Sequence, residues 1–318
     1  MMIGAVYIHL LAVSRFMKSS ASHGKTVKSA FLVILMIIMT QVGYLDLINS
    51  PRTGNDSFDE ESTVMETGGS GSSFAYANNK ISAGYQHTCA ILDNGDLKCW
   101  GGDSHGQLGD GGGIMGTNAP SSTAIDLGSG RTAVAVSVGY EHTCAILDNG
   151  ELKCWGSDQS GQLGDGGSNT HTQAPSSTAI DLGPGRTAVA VYAGYTHTCA
   201  ILDNGDMKCW GWDSYGMLGD GGSNDATTEP SSTAIDFGSG RTAVTVAVGN
   251  THTCAILDNG DLKCWGDDAW GQLGDGASSS SGLNAPSSTA IDLGSGRTAV
   301  AVAAGREHTC AILDNGDL

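Results

Sequence analysis

From Lys80 onward the chain is a succession of short apolar runs broken by Gly, Asp, Asn and Pro. Runs this short between turn residues predict β-strands, not helices. The clearest pair is His-Thr-Cys-Ala-Ile-Leu at 87–92 and Leu-Lys-Cys-Trp-Gly at 97–101, with Asp93-Asn94-Gly95 between them. The pair returns at 142–156, 197–211 and 252–266 and begins again at His308. Steps between the leading histidines are 55, 55, 55 and 56 residues. A fixed period of this size predicts a repeat architecture, each unit burying its faces only against its neighbours.

Within the unit, Asp-Asn-Gly is hairpin chemistry. A three-residue loop closed by glycine in the left-handed region sets Leu92 opposite Asp96. Counting outward, Ile91 then meets Leu97, Ala90 meets Lys98 and Cys89 meets Cys99. If Leu92–Asp96 is a hydrogen-bonded pair, the cysteines fall on a non-hydrogen-bonded one, where α-carbons approach to about 4.5 Å. That is close enough for a cross-strand disulfide. A two-residue turn would shift the register by one and separate the sulfurs.

A full unit, taken over 175–211, is expected to hold four strands at 177–182, 187–192, 197–202 and 207–211. The second alternates Ala with Val in each copy, as in Ala133-Val-Ala-Val136. A face of small side chains suits the crowded position beside a propeller axis, so this strand is placed innermost. Four-stranded antiparallel units describe the blades of an all-β propeller. Loops follow at 100–120, 155–175, 210–230 and 265–286, each carrying Gly-x-Leu-Gly-Asp-Gly. The extra residue of the fourth copy lies there, as insertions should. With four complete hairpins and a fifth interrupted at Leu318, the chain is expected to be part of a longer one with a larger ring.

Composition adds compartment and partner class. There are 48 glycines, about twice the usual share. The formal charge is −18, and beyond residue 50 only 11 Lys/Arg stand against 32 Asp/Glu. Such a body repels phosphate backbones, so no nucleic-acid partner is expected. All nine cysteines lie in the repeated hairpins. They form the couples Cys89/Cys99, Cys144/Cys154, Cys199/Cys209 and Cys254/Cys264, leaving Cys310 single. Couples this regular point to an oxidising compartment. A histidine two residues before each first cysteine raises zinc as an alternative. However, no Cys-x-x-Cys knuckle occurs, and nine residues across a hairpin suit a disulfide better than tetrahedral coordination. No metal or other cofactor is expected.

Ahead of the repeats, 1–28 is basic and 29–48 is apolar (Met17 is an alternative start). The apolar segment reads as a signal peptide or a single membrane anchor with the lysines inside. Either reading exports the repeats to the cell surface, periplasm or exterior, and contact with a membrane is expected only through this segment. The stretch 49–79 is acidic and Ser/Gly-rich, the composition of a disordered linker. The repeats are taken to occupy 80–318.

Three motifs carry a family resemblance: His-Thr-Cys-Ala-Ile-Leu, Lys-Cys-Trp-Gly, and Gly-Gln-Leu-Gly at 106–109, 161–164 and 271–274. Copy three departs, with Met217 in the glutamine position. On these, residues 80–318 resemble the regulator of chromosome condensation repeat family. The resemblance implies a β-propeller, typically seven-bladed. It also implies a choice of roles: nucleotide exchange on a small GTPase, light sensing, or inhibition of a secreted hydrolase. What these share is a scaffold presenting loops to a partner, so the fold does not fix the function.

Candidate sites divide into repeated and variable positions. His87, His142, His197, His252 and His308 recur in every copy, which marks them as architectural, since catalysis needs one asymmetric constellation. Trp100, Trp155, Trp210 and Trp265 are read as core between blades. Asp110, Asp165, Asp220 and Asp275 lack the alternating spacing of a calcium loop and are read as turn residues. The variable positions are different. His105, Trp212, Tyr215 and Trp270 follow the third strand, and Tyr85, Tyr140, Tyr195 and Arg306 occupy the bends before the hairpin. Loop aromatics and arginine on a rigid scaffold suit recognition of a protein, or of a glycan. The expectation is a non-enzymatic, exported or membrane-tethered binder. Its alternatives are a propeller hydrolase or lyase with its site elsewhere in a longer chain, and a small-GTPase exchange factor.

Overall fold

The computed structural model describes residues 80–318 apart from 114, 169, 224, 225 and 278. The basic region 1–28, the apolar segment 29–48 and the acidic stretch 49–79 lie outside the described residues.

Five antiparallel sheets follow one another along the chain. The third is representative, with an inner strand Ala188–Ala193, a second His197–Leu202, a third Met207–Trp212 and a short outer strand Ala226–Thr227, in that order. The second and fourth sheets repeat the arrangement, from Ala133–Val138 to His171–Thr172 and from Ala243–Val248 to Ser279–Leu283. The first has Ile81–Ala83, His87–Ile91 and Leu97–Gly101, with a single bridge from Gly101 to Thr117 where the second, third and fourth have an outer strand. The last pairs Ala299–Ala304 with Thr309–Leu313. Inner strands of successive sheets pack beside one another, as propeller blades do.

The hairpin register is the one counted out from the turn. Leu92 N–H donates to Asp96 at 2.9 Å, and Gly95, at φ +82°, donates back to Leu92. Ile91 pairs with Leu97, Ala90 with Lys98 and Cys89 with Cys99. The structure joins the sulfurs of Cys89–Cys99, Cys144–Cys154, Cys199–Cys209 and Cys254–Cys264 and leaves Cys310 free and exposed.

The expected first strand at 177–182 is not a strand. Its residues touch the third strand of the preceding blade through one backbone bond, Ile180 N–H to Leu152 O at 2.9 Å. Pro175 lacks a donor, and Ser176 Oγ accepts the Thr178 N–H, so local side-chain bonds replace a ladder. The fourth strand comes instead from the loop after each hairpin, so a blade begins at its inner strand. The inner strand is displaced by one residue from 187–192 and bulges between Ala188 and Ala190.

Trp155, Trp210 and Trp265 close the blade junctions, whereas Trp100, expected in the core with them, is only half-buried because no described blade precedes its own. Trp155 packs into a cluster with Cys89, Leu97, Leu108 and Ile125 of the blade before it, and Trp210 does the same with Cys144, Leu152 and Leu163. Each burial of a full indole between two sheets is what makes neighbouring units interdependent.

Candidate partner-binding rim

The repeated polar residues form a buried seam at the first three junctions and a partly buried one, His252–Thr309–Gln272, at the fourth. His142 Nε2 lies 2.9 Å from Thr198 Oγ1 of the next blade, and Thr198 donates to the Gln162 carbonyl at 2.8 Å. Trp210 Nε1–H donates to that same carbonyl at 3.1 Å. The set recurs as His87–Thr143–Gln107–Trp155 and as His197–Thr253–Met217–Trp265. Because the acceptor is a main-chain carbonyl, Met217 serves as well as glutamine.

Proton positions follow. The threonine hydrogen is committed to a carbonyl, so Oγ1 must accept from histidine, and Nε2 is the protonated nitrogen. Nδ1 of His87, His142, His197 and His252 is then a bare lone pair, and each is buried without a partner. Burial holds these imidazoles neutral, pushing His87 and His197 down to about 3 and His142 and His252 to about 4. Neighbouring histidines add to the shift at His87 and His197, while at His252 Asp267 works against it and His308 adds to it. In Thr198→Val the His142 N–H loses its acceptor, and the domain should lose about 1–3 kcal/mol, read as a shifted urea midpoint, while Thr198→Ser stays near wild type.

A second repeated device was not anticipated. Asp103 Oδ1 accepts the N–H of Leu108, and Asp158, Asp213 and Asp268 do the same for Leu163, Leu218 and Leu273. These buried carboxylates fold the start of each variable loop back on itself, and burial raises the pKa of Asp103. Their signal in the sequence is an Asp five residues before Leu in every copy. Asp110, Asp165, Asp220 and Asp275 each accept the N–H two residues on, which is turn geometry.

The chain path then sorts the candidates. Bends between inner and second strands share one end of the blades with the loops leaving the third strand. Main-chain bonds tie the two, as from Trp212 N–H to Thr196 O at 2.9 Å. Tyr85, Tyr140 and Tyr195 lie in the bends, and His105, Trp212, Tyr215 and Trp270 lie at or after the third strands, so all share this rim. The opposite end is uniform. There Arg131, Arg186, Arg241 and Arg297 pair with Asp148, Asp203, Asp258 and Asp314, and lysine amines such as that of Lys153 donate to main-chain carbonyls.

Three tyrosines on the rim lie ring against ring, Tyr85–Tyr140 stacked with centroids at 4.4 Å and Tyr140–Tyr195 tilted by 33° at 4.0 Å. The bends close tightly enough for this because Gly139 lies against the Gly194 carbonyl, where a Cβ would collide. Desolvation and the two flanking phenols push Tyr140 up to about 12. Tyr85, Trp212, Tyr215 and Trp270 are 49%, 37%, 40% and 72% exposed. The last three share no ring contact among the described residues. Arg306 is exposed beside Glu307, its guanidinium 3.6 Å from the carboxylate. His105 reaches Glu141 of the next blade at 3.4 Å.

Two models of the Regulator of chromosome condensation (RCC1) repeat match the chain, one at 79–107, 133–162, 188–216 and 243–272, the other at 149–201, 204–256 and 259–312. The Ultraviolet-B receptor UVR8 of Arabidopsis thaliana is 30% identical over 203 residues, 62% of this chain and 43% of that protein. The human E3 ubiquitin-protein ligase HERC2 is 28% identical over 234 residues, 73% of this chain but 5% of that protein. The chain thus spans less than half the length of these curated relatives. Among solved structures, human WBSCR16 superposes with a TM-score of 0.62 at 20% identity, covering 82% of this chain and 63% of that one. Prp20p from Saccharomyces cerevisiae, whose structure was described with its binding to Gsp1p and histones, gives 0.57 at 18%, covering 72% and 54%. These likenesses are in the fold.

Proposed function

Because the chain belongs to the regulator of chromosome condensation repeat family, we propose that it is a non-enzymatic scaffold that binds a protein partner through its aromatic rim. One observation carries the reading: among the described residues the exposed aromatics all lie at the blade end where the copies differ, while the other end repeats the same ion pairs. Neutral selection of surface residues would scatter them over both ends. Trp and Tyr are the side chains most enriched at the energetic centres of interfaces. Binding of a glycan by the same aromatics is the second outcome the experiment distinguishes. The relatives support the class, since Prp20p is described as binding other proteins.

Export belongs to the same proposal and rests on the cysteine couples together with the apolar segment at 29–48. A small-GTPase exchange role would instead place the protein where thiols stay reduced. In a pull-down from native extracts, changing Trp212, Tyr215 and Trp270 together to Ala should reduce partner capture at least tenfold and leave the melting temperature within a few degrees. Capture unaffected by the triple change would remove the rim from consideration. Capture abolished by a glycosidase treatment of the extract would name a glycan instead of a polypeptide.

A further inference from the structure

We propose that the junction between the first and second blades binds one divalent transition-metal ion, of the zinc or nickel type, through His105 and His171. The rings of His105 and His171 stand edge to face with centroids 6.3 Å apart. Two imidazoles bound to one ion need centroids about 5–6 Å apart, given metal–nitrogen bonds of about 2 Å, so a small side-chain rotation closes the pair. His105 Nδ1 faces Glu141 Oε2 at 3.4 Å and Ser104 Oγ at 3.0 Å. A proton shared with that carboxylate stays on Nδ1 and leaves Nε2 as the basic nitrogen. This is the carboxylate–histidine arrangement that orients metal-bound imidazoles. Water completes the coordination of the ion, and no trio of protein donors among the described residues is already gathered for one.

The constellation is asymmetric, which sets it apart from the histidines of the seam. At the next junction the equivalent positions are Ser160, Thr196 and Ala226, and Tyr215 and Trp270 replace His105 in the third and fourth blades. The rings also come from separate elements: His105 from the loop of one blade, His171 from the outer strand of the next, and Glu141 from that blade's bend. An ion here would clasp two blades at the rim, beside the stacked tyrosines. Side chains of His105 and Glu141 are about a quarter exposed, so the ion has access and the rings have room to turn.

The test is titration of the oxidised full chain, in a Cys310→Ser background, with Zn²⁺ or Ni²⁺ by calorimetry. One equivalent should bind in the parent, and His105→Ala and His171→Ala should each weaken it more than tenfold with unchanged circular dichroism. Glu141→Gln should weaken it about tenfold. Glu141 acts as a positioning residue, so nitrogen NMR of the His105 ring should show the Nδ1–H tautomer in the parent and a tautomer mixture in Glu141→Gln. No one-equivalent binding by the parent, or an affinity unmoved by His105→Ala or His171→Ala, would overturn the proposal.

Discussion

On acidification the domain should lose stability steeply between pH 6 and pH 4, a loss that begins above the range in which most carboxylates are protonated. The four seam histidines are neutral in the folded state down to about 3 or 4. In the unfolded chain they protonate near 6.5. Below 6.5 the unfolded state therefore binds more protons, so each histidine contributes stability that is fully present above that pH and drains away as pH falls toward its folded value. The slope is about 1.4 kcal/mol per pH unit for each group, hence about 5 kcal/mol per unit for four. Against a typical total of about 5–15 kcal/mol, two pH units suffice to unfold the domain. Asp103, whose carboxyl is raised by burial, works in the opposite sense as a single group. Urea midpoints measured from pH 7 to pH 4 check the prediction. His142→Gln keeps a donor toward Thr198 Oγ1 without a titrating nitrogen, and it should lower the slope by about one proton. A midpoint constant from pH 7 to pH 5 would show that the seam histidines are hydrated and titrate normally.

The sequence revealed the parts of the fold that short-range chemistry determines. His197–Leu202 and Met207–Trp212 were legible because Asp203-Asn204-Gly205 sets the loop and the cysteines allow one register. The outer strand was not, because Ala226–Thr227 is two residues long and owes its pairing to Gly211 and Trp212, not to its own pattern. The expected strand at 177–182 failed for the complementary reason: its apolar residues are real core, with Ile180 and Leu182 buried, but Pro175 and Ser176 deny it a ladder. Histidine was readable as architectural from its recurrence alone. Its partner was not, since Thr198 lies in the next blade and nothing local connects it to His142. The rim emerged only when the chain path brought bends and third-strand loops to one end. The His105–Glu141–His171 set shows the same limit, with three elements of two blades meeting where no sequence window contains them.

Reduction should cost the domain about 2–3 kcal/mol for each cysteine couple, and about 10 kcal/mol for all four if they act independently. Each bridge closes a loop of ten residues, as Cys199 to Cys209 does, and the chain-entropy relation for loops of that length gives this magnitude. Before reduction, alkylation in urea should label Cys310 alone; afterwards it should label all nine cysteines. Cys199→Ala with Cys209→Ala should shift the midpoint by the single-bridge amount, whereas Cys310→Ser should leave it in place. All nine thiols labelled without reductant, with a midpoint indifferent to dithiothreitol, would remove both the bridges and the case for export. The bridges are buried, with Cys89, Cys144, Cys199 and Cys254 fully enclosed in the core clusters. Buried thiols can occupy the same space as small apolar groups. A protein that lacks one bridge, as in Cys199→Ala with Cys209→Ala, should therefore keep its seams and tryptophan packing and open first at that hairpin. Amide exchange checks the order: in that double variant, protection should fall at 199–209 before it falls at the inner strand Ala188–Ala193.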